Sequence, residues 1–159
     1  MKSIGSKNSI RGAYVEKEIV KKYGAIKSDS DEYDMEYFGR LVEIKSCASW
    51  HLHSGKANEK SHPGSARFSI DIEAHEDLKK AADKMGKKAV YAFVKTPRSK
   101  MGRISMKPNT WIEAWMTWEN VDRIVKNPKT KRLARNKYHV EDRTRYYYRI
   151  PIKTIFGNN

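Results

Sequence analysis

The sequence predicts an α/β fold: a mixed central β-sheet flanked by helices. Three observations lead there. Segments whose apolar residues follow a helical period alternate with short strand-like runs. Two of those runs, residues 33–37 and 40–46, are separated only by Phe38-Gly39, which requires a tight hairpin. Residues 89–94 are apolar at nearly every position, as expected of a strand covered on both faces. A chain of 159 residues suffices for one domain with a real core, and we expect a single domain over residues 1–159.

Taken in order, residues 9–23 form a first helix. Ser9 is its expected N-cap and Ile10, Ala13, Tyr14, Ile19, Val20 and Tyr23 its apolar face. Gly24 stops it. Residues 25–27 make a short strand, and the Ser28-Asp29-Ser30-Asp31 cluster a turn. In the second hairpin strand, Leu41, Glu43 and Lys45 share one side and Val42 and Ile44 the other. Residues 47–66, with Trp50, His51, His53, His62 and Pro63, read as a long loop. A second helix spans 70–85, with Ile70, Ala74, Leu78, Ala81, Ala82 and Met85 inward and Gly86 as its stop. After the apolar strand 89–94 comes a basic loop over 96–108, with a short strand at 104–106. A strand at 110–115 and a short helix at 118–125, N-capped by Thr117, follow. A final strand at 146–152 closes the fold, giving a mixed α/β sheet flanked by helices.

The charge balance points to a polyanionic partner. There are 33 Lys+Arg against 19 Asp+Glu, a formal net charge of +14, and nucleic acid is the usual polyanion that such a surface attracts. The bland alternative is a merely soluble or ribosome-associated basic protein. Residues 123–149 concentrate this charge: ten basic residues stand against Glu141 and Asp142. The one cysteine, Cys47, excludes an internal disulfide and a cysteine-based zinc site. No window approaches the ~20 apolar residues of a membrane span. The first twelve residues lack the apolar core of a secretory signal. The expected location is therefore the cytoplasm, with the cell's nucleic acid.

The chemistry lies in Asp34 and the run Leu41-Val42-Glu43-Ile44-Lys45. Phosphodiester hydrolysis needs carboxylates to hold Mg²⁺, a hard cation that prefers oxygen ligands. It needs a lowered pKa on a bound water and a cation beside the phosphate. Glu43 and Lys45 lie two apart on a strand and so point to one face. Asp34, across the hairpin, can approach them. Ile44 points its side chain into the core, while its carbonyl remains a possible metal ligand at the strand edge. A Glu-x-Lys pair on a wet sheet face is otherwise an ordinary cross-strand ion pair. The upstream Asp34 and the strongly basic chain around it favour the catalytic reading.

Asp34…Glu43-Ile44-Lys45 resembles the PD-(D/E)XK signature of restriction-endonuclease-like nucleases, with Tyr33 where the signature has proline. Residues 11–20 are similar to the first helix of archaeal-type Holliday junction resolvases, with Glu16 at the position of that family's helical active-site glutamate and Glu18 beside it. The likeness covers roughly residues 9–115; the tail from about 123 has no counterpart. The resemblance implies a restriction-endonuclease-like, five-stranded mixed sheet, Mg²⁺ dependence (with Mn²⁺ as a substitute) and a homodimer acting on two strands of a four-way DNA junction. It implies that Asp34, Glu43, Glu16 and the Ile44 carbonyl serve the metal and that Glu16, Asp34, Glu43 and Lys45 are catalytic. The long 47–66 segment and the basic tail depart from that family, and both stand where substrate choice would be set. Cleavage of linear duplex by a restriction- or repair-type endonuclease is the alternative; a non-catalytic nucleic-acid-binding protein is the alternative of another class.

Lys7, Arg11, Arg67, Arg132, Arg135, Arg145 and Arg149 are the candidates for DNA phosphate contacts, where each would steepen the salt dependence of binding. The aromatic residues Trp111, Trp115 and Trp118 are expected in a core or interface, and Tyr146–Tyr148 between arginines are the candidates for base stacking. His51, His53 and His62 have metal-like spacing but no cysteine or carboxylate pattern to complete a site. His75 is expected to pack or hydrogen-bond on the second helix, and Cys47 to be a small packed residue.

Overall fold

A computed structural model of the chain describes residues 7–51, 62–63, 66–99, 101, 103–128, 133–135 and 146–157. A five-stranded mixed sheet forms its centre. It contains β1 (Ile26–Lys27), β2 (Met35–Tyr37), β3 (Arg40–Ala48), β7 (Lys88–Thr96) and β8 (Ile112–Thr117), in the order β1-β2-β3-β7-β8. β3 and β7 pair in parallel over nine residues, Arg40↔Lys88 to Ala48↔Thr96; the other pairs in this sheet are antiparallel. A parallel pair needs a long crossover. Here it is made by β4 (Trp50–His51), β5 (His62–Pro63), β6 (Arg67–Asp71) and α2 (Ile72–Met85).

The two faces of the central sheet are closed by different elements. α1 (Lys7–Tyr23) covers one face, burying Val15 and Ile19 with Met35, Val42, Ile44, Ala92, Val94 and Trp111. α2 and α3 (Trp118–Lys126) cover the other, with Leu78, Ala82, Trp118 and Val121 packed on Leu41, Tyr91 and Phe93. The alternation along β3 produces this: Leu41 and Val42, both 0% exposed, point to opposite cores. The predicted mixed sheet with flanking helices is thus what forms. The turn between β2 and β3 places Phe38 at φ 45 and Gly39 at φ 72, positive values at both centres that match the right-handed strand twist.

A second sheet lies outside the predicted arrangement. Its order is β6-β10-β9, with β10 at Tyr146–Pro151 and β9 at Leu133–Arg135. β10 therefore does not join the central sheet. It pairs antiparallel with β6, Tyr148↔Ile70 and Ile150↔Phe68 among the partners, and its buried face joins the α2-side core. α4 (Ile152–Phe156) follows directly.

Several boundaries differ from expectation. Ile70 lies in β6, and α2 begins only at Ile72, because the Asp71 carboxylate accepts from the Ala74 N–H and caps the helix. Ala74 and Met85 are exposed rather than inward. Ser9 is inside α1 and not its cap. Ile10 and Tyr14 are exposed, since the buried stripe of α1 runs through Val15 and Ile19. Residues 47–66 are not all loop, as β3 runs to Ala48 and β4 pairs with β5. In place of a strand at 104–106, Ile104 makes an isolated bridge to Arg98. Residues 108–110 are a 3-10 turn that delays the last central strand to Ile112. Gly86 (φ 66) and the Thr117 hydroxyl, which accepts from Asn120 N–H, terminate α2 and start α3 as expected.

Candidate active site

The hairpin holds Asp34 by its backbone before its side chain acts. The Asp34 N–H donates to the Val42 carbonyl at 2.9 Å. Its carboxylate, on a residue only 7% exposed, accepts from the Ile44 N–H at 2.7 Å. That contact fixes the acid beside the middle of the Glu43-Ile44-Lys45 run. Glu43 and Lys45 sit on the α2-side face of β3, their charged ends 3.4 Å apart and both partly shielded from solvent. The Ile44 side chain is buried against α1. The N–H and C=O of one strand residue point to the same neighbour, so the Ile44 carbonyl faces the side on which Asp34 lies.

Glu16 is half-buried on α1, one residue past Val15, which packs in the core shared with Val42 and Ile44. α1 thereby carries Glu16 on a helix anchored to β3. Among the described residues, Glu16, Asp34 and Glu43 do not form a trio with ligand atoms all within 4.8 Å of one another. Like charges close up only around a cation, and here the Lys45 ammonium and the Ile44 N–H supply part of that compensation.

The trio that does meet that distance among the described residues is His75, Glu76 and Asp122, which sequence reasoning did not find. His75, 0% exposed, lies between the Tyr91 hydroxyl (Nδ1, 2.6 Å) and the Asp122 carboxylate (Nε2, 3.0 Å). It stacks on Trp118 at 4.4 Å between ring centroids. Burial pushes its pKa down, against the opposing pull of Asp122, so the ring is held neutral. Lys126 closes the group, 2.8 Å from Asp122 and 3.5 Å from Glu76. Three elements contribute and no local motif marks them. The expectation that His75 packs and hydrogen-bonds is met.

At the far end of β3, Cys47 donates to the carbonyls of Ala48 and Arg67, both at 3.3 Å. Burial pushes its thiol up to about 11, although the nearby Arg11 and Arg98 pull the other way. A thiol so placed stays protonated and is a packed group, as expected. Two arginine charges act on it, Arg11 on α1 and Arg98 after β7, while β6 reaches it through the Arg67 backbone carbonyl. Arg98 was not singled out from the sequence, where it is one cation in a basic loop.

The other predicted phosphate contacts divide. Arg67 and Arg149 are exposed on the second sheet. Lys7 opens α1 and Arg135 ends β9; Arg132 and Arg145 lie outside the described residues. Trp111 and Trp118 are buried and Trp115 packs against the α1-side core, so these rings are structural. His51 and His62 are paired across β4 and β5, and His53 is outside the described residues.

The carboxylates of Asp34, Glu43 and Glu16 and a backbone carbonyl are hard-oxygen donors, the chemistry that suits a divalent cation. A family model for a PD-(D/E)XK nuclease superfamily domain matches residues 1–157. No curated protein and no solved structure matches the chain. Nucleases of this superfamily typically use divalent metal ions and act on DNA. No helix among the described residues is long and apolar enough to cross a membrane. The family match takes in the hairpin, the central sheet and the helices that cover it, so the chain belongs to the PD-(D/E)XK nuclease superfamily.

Proposed function

We propose that this protein is an Mg²⁺-dependent endonuclease that cuts DNA at four-way junctions as a homodimer, with Mn²⁺ able to substitute. The observation that carries the catalytic part is the hairpin contact that sets the Asp34 carboxylate on the Ile44 N–H, between Glu43 and Lys45. Asp34, Glu43 and the Ile44 carbonyl would hold the cation, and Glu16 a second one directly or through water. When bound, such an ion lowers the pKa of a coordinated water and offsets charge on the phosphate. Lys45 orients the attacking water and neutralises the scissile phosphate, while its pairing with Glu43 keeps the ammonium aimed along the strand face. The core packing of β3 against α1 fixes Glu16 relative to the hairpin. Lys7, Arg11, Arg67, Arg132, Arg135, Arg145 and Arg149 bind DNA phosphates. The junction preference rests on the likeness of the Glu16 helix to that of the archaeal resolvases, and the cytoplasm is the expected site of action.

The test is cleavage of a labelled four-way junction beside a linear duplex of the same sequence, with Mg²⁺ and with EDTA. Paired, Mg²⁺-dependent nicks on the junction alone are expected. Equal cutting of the duplex points instead to a restriction- or repair-type enzyme. Binding without any cutting points to a non-catalytic protein. Asp34→Asn keeps the fold and DNA binding but removes a charged ligand. Losing several kcal/mol of metal-assisted stabilisation, at tenfold per ~1.4 kcal/mol, lowers the rate by on the order of a hundredfold or more. Undiminished cleavage by pure Asp34→Asn protein would sink the assignment.

A further inference from the structure

The second sheet has one face in the core and one outward. Phe68, Ile70, Tyr148 and Ile150 point inward and are buried; Arg67, Ser69 and Arg149 alternate with them and are exposed. The register pairs Arg149 with Ser69 and Pro151 with Arg67, so Arg67 and Arg149 are diagonal neighbours on one face, roughly 7–8 Å apart. Tyr147 stands on the same face, half-buried, opposite Asp71. The Asp71 carboxylate is engaged in capping α2.

Several surface cations are already neutralised. Lys22, Lys79, Lys87 and Lys126 each meet a carboxylate. Among the described residues, neither Arg67 nor Arg149 is in an ion pair. Two neighbouring guanidiniums on a rigid face repel unless an anion lies over them. The face also continues from the active site. The Arg67 carbonyl accepts from Cys47, which is two residues beyond Lys45 on the same side of β3, where Arg11 and Arg98 also gather. The end of β3 that leads from Lys45 through Cys47 thus abuts β6, with the Arg11 and Arg98 charges beside it.

We propose that the outward face of the second sheet is the seat of the DNA strand as it leaves the Glu43–Lys45 site, with Arg67 and Arg149 on successive phosphates and Tyr147 against a sugar or base. The proposal rests on the nuclease reading for the identity of its ligand. Phosphate chemistry selects the occupant: a planar guanidinium pairs with phosphate in two-pronged fashion, and the strands hold both side chains at fixed spacing, so little ordering is lost on binding.

The test is equilibrium binding of a short fluorescein-labelled duplex to the full chain in EDTA, titrated over salt, so that no cleavage intervenes. Each phosphate contact contributes about −0.9 to the slope of log affinity against log salt. Arg67→Gln and Arg149→Gln are each expected to flatten the slope by about one, and the double variant by about two. Lys84→Gln, an exposed cation at the far end of α2, serves as the control and leaves it unchanged. Thermal melts check that the exposed substitutions leave the fold intact. A double-variant slope equal to that of the unaltered protein overturns the proposal, as does an equal flattening by Lys84→Gln. If sedimentation shows that Arg149→Gln turns a dimer into monomers with the slope unchanged, the face is a contact between copies and the proposal fails. Because this measurement needs no turnover, a protein that binds with the expected slopes but never cuts would refute the nuclease reading alone.

Discussion

Against α1, the central sheet presents Val42, Ile44, Ala92 and Val94, and the core there is hydrocarbon and rings. Against α2 and α3 it presents Leu41, Tyr91 and Phe93, and a hydrogen-bonded chain from Tyr91 through His75 to Asp122 crosses the packing. Glu43 and Lys45 lie on this second side, Glu43 in register with Tyr91. One strand thus serves both sides with alternate residues. The polar contacts of the α1 side, from Tyr23 and Trp115 to Glu113, lie at its half-buried rim, so the core beneath tolerates small changes of shape. The α2 side also has to satisfy buried polar atoms, for which partial satisfaction is costlier than none.

This difference can be broken at graded strengths. Leu78→Ala truncates the largest buried aliphatic side chain of α2, on the polar side, where Leu78 is 1% exposed, and should cost about 2–5 kcal/mol, read by chemical denaturation. Tyr91→Phe keeps the volume and strips the hydroxyl that His75 Nδ1 meets. It should cost about 1–3 kcal/mol, the penalty of one buried unsatisfied group; a neutral result would show that the chain is passive filling.

The same contact gives a pH signature. Burial depresses the His75 pKa in the folded state, so the unfolded chain binds its proton first as pH falls. The stability that His75 contributes is complete above its unfolded pKa of about 6.5 and is lost as pH drops below it toward the folded value. Asp122, Glu76, Lys126 and Tyr91 face the ring. Asp122 is itself held below the usual carboxylate range, by Lys126 and then His75, against its own burial. Its contribution fades at a lower pH, so melts between pH 7 and 5 isolate the histidine. A His75→Leu protein should lose that slope. The mildest change is Ile19→Val on the α1 side, expected at about 0.5–1.5 kcal/mol with no pH component.

What was legible in the sequence had local causes. The Phe38-Gly39 turn, the Thr117 cap, the Gly86 stop and the two-residue period of Leu41 to Lys45 each act within a few residues, and each stands where expected. Asp34 and Glu43-Ile44-Lys45 were readable for the same reason: a short hairpin fixes their relation. The second sheet was not. Phe68 and Ile70 are only two alternating residues, Ile70-Ala74-Leu78 fits a helical face equally well, and the partner strand lies far downstream. His75 was recognisable as a packed residue, but its partners Tyr91 and Asp122 come from elements that only tertiary packing brings together. On α1 the apolar residues exceed what the sheet can cover, and no sequence signal says which of them, Ile10 and Tyr14 as it turns out, remain outside.

The parallel register of β3 with β7 has a consequence for timing. The β2–β3 hairpin closes within a few residues, an event of about 1–10 μs, and that closure brings Asp34 beside the Ile44 N–H. β7 can dock on β3 only after the whole crossover through α2 has been synthesised, and β10 can reach β6 only later still. Such non-local pairings dominate folding times. During synthesis the Asp34–Ile44 contact therefore forms first and the sheet bearing Arg67 and Arg149 last, so the hairpin is set before the β6–β10 face is complete.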